Sequence, residues 1–212
     1  MKHIAILGFG VVGGGVYEVL RDHAEVNIKY ILDLRKFPGH PLEDRVTTDL
    51  DKILADNEVE VVVETMGGIE IAYKFSKAAL LAGKSVVTSN KAVVDAHGKE
   101  LEEIAYEQGV SYLYEASVGG GIPIIRPLRD CFNADKILKI SGILNGTTNY
   151  ILTRMGETGC TMEAALKEAQ ALGYAEQDPT ADVEGYDTAR KICILAGLAF
   201  GKHIPYTAIP HL

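Results

Sequence analysis

Short apolar runs and amphipathic segments alternate through the first half of the chain. Residues 3–7, 26–32, 59–65, 84–88 and 110–114 are each five to seven residues long and rich in Ile, Val, Leu or Tyr. Runs of that length and composition suit strands buried on both faces. Between them, residues 16–20, 49–55, 69–81 and 95–108 have helical spacing. Gly83 closes the third of these, and Glu100, Glu102 and Glu103 give the fourth a water-facing side. Residues 37–48, marked by Pro38-Gly39 and Pro41, read as a loop. Regular β-α alternation predicts a doubly wound parallel sheet with right-handed crossovers.

The pattern changes near residue 130, dividing the chain into domains at 1–130 and 131–212. A helix is expected over 124–132 and a strand over 136–144. The polar, turn-prone Asn145-Gly146-Thr147-Thr148-Asn149 follows. Further helices are expected over 150–155, 161–172 and 182–198, with Thr161 as N-cap and Gly173 as stop for the second. Residues 201–212, with Pro205 and Pro210, show no clear element.

The first apolar run leads into Gly8-Phe9-Gly10-Val11-Val12-Gly13 and then a helix. Strand, G-x-G-x-x-G and helix in that order form the dinucleotide-binding arrangement of Rossmann-type folds. The glycines allow a tight turn and let backbone N–H groups approach a pyrophosphate, whose charge a helix N-terminus favours. Asp33 ends the second run twenty residues beyond Gly13, where an acid can bind ribose hydroxyls. Arg35 could instead pair a 2′-phosphate, or belong to a solvated turn, so NAD and NADP both remain open. Thr65-Met66-Gly67 ends the third run at the edge where doubly wound sheets bind ligands, and Lys91 follows the fourth at the same edge. Lys91 could position a carboxylate or polarise a carbonyl, or be an exposed loop lysine.

A second glycine-rich turn, Glu115-Ala-Ser-Val118-Gly-Gly120-Gly-Ile122-Pro123, could offer backbone carbonyls to a hard cation or simply let two segments approach. Charge then concentrates at Gly173-Tyr174-Ala175-Glu176-Gln177-Asp178-Pro179, Asp182, Glu184, Asp187 and Lys191. On a helix, Lys191 shares a face with Asp187 and with Ile194, Leu195 and Leu198. An Asp187–Lys191 surface pair is the ordinary reading. Ala189, Ile192, Cys193 and Ala196 leave that pair little polar face, however, and an unpartnered buried ammonium is costly.

Apolar residues at 47% and charged residues at 24% fit a globular protein able to bury a core. The net charge of −8 argues against nucleic acid or an anionic membrane as partner. Three widely spaced cysteines without a CxxC suggest neither a disulfide framework nor a zinc site, which fits a cytoplasmic protein. Glycines after residue 7 interrupt what would otherwise imitate a secretory leader, and no membrane span is expected.

Asn90-Lys91-Ala92, the 115–123 turn, Leu144-Asn-Gly-Thr-Thr-Asn-Tyr-Ile151 and the 173–191 stretch, in that order behind a nucleotide loop, resemble homoserine dehydrogenase. The resemblance implies a Rossmann-type domain followed by part of an α+β catalytic and dimerisation domain. It implies NAD(P)-dependent interconversion of L-aspartate 4-semialdehyde and L-homoserine, on the route to threonine, methionine and isoleucine. Lys191 and Lys91 match residues for proton transfer and substrate positioning, and Glu176, Asp182 and Asp187 match substrate-site acids. Glu115, Val118, Gly120 and Ile122 match a monovalent cation site, usually sodium. Family members are longer and dimeric, so this chain reads as a fragment. Two other readings are another NAD(P)-dependent reductase of a small acid, and a nucleotide-sensing module that does no chemistry. A sensor would have no use for Lys191 and its acids.

Overall fold

The computed structural model describes residues 1–132 and 134–210. It divides into two compact units, Met1–Pro123 and Ile124–Leu212. The first contains β1 (Lys2–Leu7), α1 (Val11–Leu20), β2 (Val26–Leu32), β3 (Val46–Thr47), α2 (Leu50–Ala55) and β4 (Val59–Glu64). α3 (Glu70–Leu81), β5 (Ser85–Thr88), α4 (Lys91–Gln108) and β6 (Tyr112–Leu113) complete it. All pairings are parallel and the strand order is β3-β2-β1-β4-β5-β6. The direction of winding reverses at β1 and β4, which places a ligand crevice beyond their carboxyl ends.

The five expected strands are present because their side chains are buried on both faces. Ala5, Ile6, Leu7, Ile31, Val62 and Val86 are all inaccessible to solvent. Each large aliphatic side chain so buried contributes about 1.5–3 kcal/mol. The register aligns Leu7 with both Leu32 and Glu64, and Glu64 with Thr88, so the strand ends meet at one edge. α4 begins with an Asn90 side-chain cap on Val93 N–H and ends at Gly109, whose φ of +67° suits glycine.

Several elements differ from their sequence pattern. The expected 37–48 loop contains a 3₁₀ turn at Glu43–Arg45 and the short β3, which pairs with Ile31 and Leu32. Two residues carry too little periodicity to announce a strand. α1 starts at Val11, so Gly13, Gly14 and Gly15 are helical.

The second unit contains α5 (Ile125–Asp130), α6 (Gly146–Thr158), α7 (Met162–Ala171), α8 (Thr180–Val183) and α9 (Tyr186–Phe200). Its start at Ile124, rather than near 130, places α5 in the same unit as α9, against which it packs. The strand expected over 136–144 does not form. That segment has no ladder partner among the described residues and leaves Leu138 and Ile143 about four-fifths exposed (81% and 77%). Alternating apolar residues make a strand only where an edge is available to hydrogen-bond them. The continuous helix expected over 182–198 is interrupted at Gly185, whose φ of +78° separates α8 from α9. No helix among the described residues is long and apolar enough to cross a membrane.

Candidate functional site

In the first unit the chain turns at Gly8, whose φ is +87°. A side chain at Gly13 would place its Cβ 2.1 Å from the Gly8 carbonyl oxygen and 2.9 Å from Thr65 Oγ1. Only glycine therefore lets α1 pack against the turn. Thr65 Oγ1 donates to the Gly8 carbonyl at 2.7 Å and lies 3.0 Å from that of Leu7, tying the glycine turn to the end of β4. Gly10 caps α1 with open space around it, and Val11 and Val12 are exposed. The first N–H groups of α1 have no acceptor within the helix, so this open terminus fits a pyrophosphate.

Asp33 closes the site from β2. Its Oδ2 accepts the Phe9 N–H at 2.8 Å. Arg35 meets both carboxylate oxygens, with Nε 3.0 Å from Oδ1 and Nη2 2.8 Å from Oδ2, and also donates to the Phe9 carbonyl at 2.9 Å. The paired guanidinium holds the Asp33 carboxyl far below the usual carboxylate range, against the opposing effect of burial. The structure joins Asp33 and Arg35 into one fork beside the glycine turn.

Two loops extend from the carboxyl ends of β4 and β5. Asn90 Nδ2 donates to the Gly68 carbonyl at 2.7 Å and contacts that of Met66 at 3.4 Å. Lys91, the first residue of α4, is half-buried directly after this cap. Beneath the loops lies Glu64, fully buried, with Oε1 accepting the Met66 N–H at 2.7 Å and Oε2 accepting the Thr88 hydroxyl at 2.5 Å. Burial pushes the Glu64 carboxyl up, opposed by these hydrogen bonds. Sequence reasoning assigned Glu64 no role, since Glu60 and Glu64 both punctuate the same valine run.

The turn after β6 is compact. The Ile122 N–H donates to the Gly119 carbonyl at 3.0 Å, and a Cβ on Gly119 would lie 2.2 Å from the Ile122 carbonyl oxygen. Gly120 has φ +59°, Val118 is buried and Glu115 half-buried. The described residues contain no group of three or more His, Cys, Asp or Glu able to hold a metal. A cation here would therefore rest mainly on backbone oxygen, the donor type that hard cations prefer.

In the second unit, Asn145 caps α6 and organises the acids. Its Oδ1 accepts from Thr148 N and Oγ1, both at 2.8 Å. Its Nδ2 donates to Asp182 Oδ1 at 2.6 Å and Asp187 Oδ2 at 3.0 Å. Lys191 Nζ lies 2.7 Å from the same Asp187 Oδ2 and donates to the Leu144 carbonyl at 2.8 Å. The side chains of Lys191 and Asp187 are only 15% and 6% exposed, which excludes the surface-pair reading. Asp182 is half-buried and Glu176 exposed, and the Glu176 carbonyl accepts from Gln170 Nε2. Asn145, Leu144, Asp182, Asp187 and Lys191 thus come together, while the Glu176 side chain stays exposed to solvent. Sequence reasoning read residues 145–149 as a turn within a family motif and gave Asn145 no role of its own. The missed signal is an Asn followed three residues later by Thr148, at the head of a helix.

The chain matches known proteins along both units. Residues 8–115 match the family model described as homoserine dehydrogenase, NAD binding domain, and residues 123–211 match that described as homoserine dehydrogenase. A homoserine dehydrogenase of Synechocystis sp. is 45% identical, over 95% of this chain and 49% of its own length. The crystal structure of a homoserine dehydrogenase from Thiobacillus denitrificans matches with TM-score 0.86 and 40% identity, over 97% of this chain and 50% of that one. A hyperthermophilic archaeal homoserine dehydrogenase in complex with NADPH matches with TM-score 0.84 and 28% identity, over 96% and 71% of the two chains. The chain spans about half the length of the curated relatives it matches. With family models matching residues 8–115 and 123–211, the chain belongs to the homoserine dehydrogenase family.

Proposed function

We propose that this chain carries the nucleotide-binding and proton-transfer residues of an NAD(P)-dependent homoserine dehydrogenase, acting between L-aspartate 4-semialdehyde and L-homoserine in the biosynthesis of threonine, methionine and isoleucine. The single observation that carries this reading is the nearly buried Lys191, held between a carboxylate and a carbonyl beside a second acid. When bound, the nicotinamide cofactor supplies or accepts the hydride. The chain's own task is to hold that cofactor, orient the substrate and move one proton.

The open terminus of α1 receives the pyrophosphate, with Gly8 to Gly13 forming the turn. Asp33 receives ribose hydroxyls, or Arg35 a 2′-phosphate, and Thr65, Met66 and Gly67 border the nicotinamide side. Lys191 gives a proton to the alkoxide oxygen in aldehyde reduction and takes it back in alcohol oxidation. Asp187 and the Leu144 carbonyl aim its ammonium group. Glu176 and Asp182 attract the substrate's ammonium group, and Lys91 its carboxylate. A monovalent cation, sodium by resemblance, rests on oxygen atoms of Glu115, Val118, Gly120 and Ile122. A homodimer in the cytoplasm completes the reading, supported by family resemblance.

The test is to supply L-homoserine and NADP to the product of the whole open reading frame encoding these residues, beside the 212-residue chain. NADPH formation by the former supports the reading. Nucleotide binding without turnover in both would favour a sensing module instead.

A further inference from the structure

We infer that Glu64, with Thr88 and Asn90, is a positioning device that clamps the two carboxyl-edge loops into one nucleotide-facing platform. The carboxylate holds the Met66 N–H on one side and the Thr88 hydroxyl on the other. Thr88 Oγ1 in turn accepts the Asn90 N–H at 2.9 Å, and Asn90 reaches back to the Gly68 and Met66 carbonyls. The circuit closes: loop 65–68 and loop 88–91 are fastened to each other through groups contributed by adjacent strands. Asn90 Oδ1 also caps Val93, so the same circuit fixes the first turn of α4, where Lys91 stands.

Stability alone does not account for the choice of residue. Glu64 has no solvent exposure and lies in register between Leu7 and Thr88. An apolar residue there would avoid the cost of desolvating a carboxyl group. Nearby Tyr112, whose buried ring carries a hydroxyl with no hydrogen-bond partner among the described residues, is pushed up by burial and by the charge of Glu64. The first unit thus tolerates a polar island under its ligand edge. What the island secures is the direction of the Met66 backbone, which borders the cofactor in the reading proposed above, and of the Asn90 backbone that leads into Lys91, and the inference rests on that reading.

The test compares Glu64→Ala, Thr88→Val and Glu64→Gln. Each is measured for NADPH affinity by fluorescence titration and for amide hydrogen exchange along the whole chain. Glu64→Ala and Thr88→Val are expected to weaken NADPH binding about tenfold to a hundredfold, as for misplaced ligand-positioning groups. Their loss of amide protection should be confined to residues 65–68 and 89–93. Glu64→Gln retains an acceptor for Met66 and should stay within about threefold of wild type. Folded Glu64→Ala and Thr88→Val proteins with unchanged affinity and unchanged exchange overturn the inference. Should Glu64→Ala fail to fold, the nearly isosteric Thr88→Val decides it. If wild type binds neither NADPH nor NADH, the nucleotide reading fails by itself. Hydrogen exchange then still decides whether Glu64 clamps the two loops.

Discussion

Replacing Asn145 separates a helix cap from an organiser of carboxylates. Asn145→Ala removes the cap on Thr148, about 1 kcal/mol, together with two hydrogen bonds to acids at 2.6 and 3.0 Å. Hydrogen bonds to charged groups contribute about 1.5–3 kcal/mol each. Asp187 keeps Lys191 at 2.7 Å, and half-buried Asp182 can recruit water, so the low end applies. The expected destabilisation is roughly 4 kcal/mol in all. Asn145→Asp is the informative partner, because aspartate caps as well as asparagine does. It also brings a third carboxylate against Asp182 and Asp187, where like charges about 4 Å apart repel by about 4 kcal/mol at an effective dielectric of 20. Such crowding raises a folded-state carboxyl pKa above its unfolded value of about 3.9. The penalty is therefore complete above the raised value, shrinks as pH falls through it, and disappears below the unfolded one. Urea unfolding followed by far-UV circular dichroism at pH 7 and pH 5 measures both variants. At pH 7 each midpoint should fall by about 1 M or more, and only Asn145→Asp should recover toward pH 5. An Asn145→Asp protein within about 0.5 kcal/mol of wild type at pH 7 would reduce Asn145 to an ordinary cap.

Gly13→Ala places a methyl 2.1 Å from the Gly8 carbonyl oxygen, so calorimetry should find NADPH affinity lowered by more than about a hundredfold; unchanged affinity would contradict the packing account. Asp33 has a folded pKa lowered chiefly by Arg35, so its contribution is present above an unfolded pKa of about 3.9 and is lost as pH falls through the lower folded value. The stability gap between wild type and Asp33→Asn should accordingly be flat from pH 7 to about pH 5 and narrow below about pH 4, as read by thermal unfolding. Arg35→Ala should lower affinity for NADPH relative to NADH by about tenfold, and an unchanged ratio would remove Arg35 from 2′-phosphate recognition.

Much of the first unit was legible because its strands are buried on both faces and its loop glycines have a steric reason visible in their spacing. Asp33 could be found by counting from Gly13, since the fold fixes that interval. β3 was hidden because two edge residues have no period. The 136–144 segment misled for the opposite reason, showing strand composition without an available edge. Gly185 divides what periodicity joins, since a left-handed glycine leaves the apolar spacing on either side intact. Asp187 and Lys191 were legible as an i,i+4 pair, but their burial was not, because it depends on Leu144 and Asn145 more than forty residues earlier. Glu64 was opaque for the same reason: its partner Thr88 lies on the neighbouring strand, 24 residues away.

The central claim is that Lys191 moves the proton that accompanies hydride transfer. Its most direct measurement is turnover of L-homoserine with NADP by the product of the whole open reading frame, with and without Lys191→Ala, alongside the NADPH dissociation constant of each. Turnover should fall by roughly 10²–10⁴-fold while NADPH affinity stays within about threefold. Full turnover in Lys191→Ala would contradict the assignment.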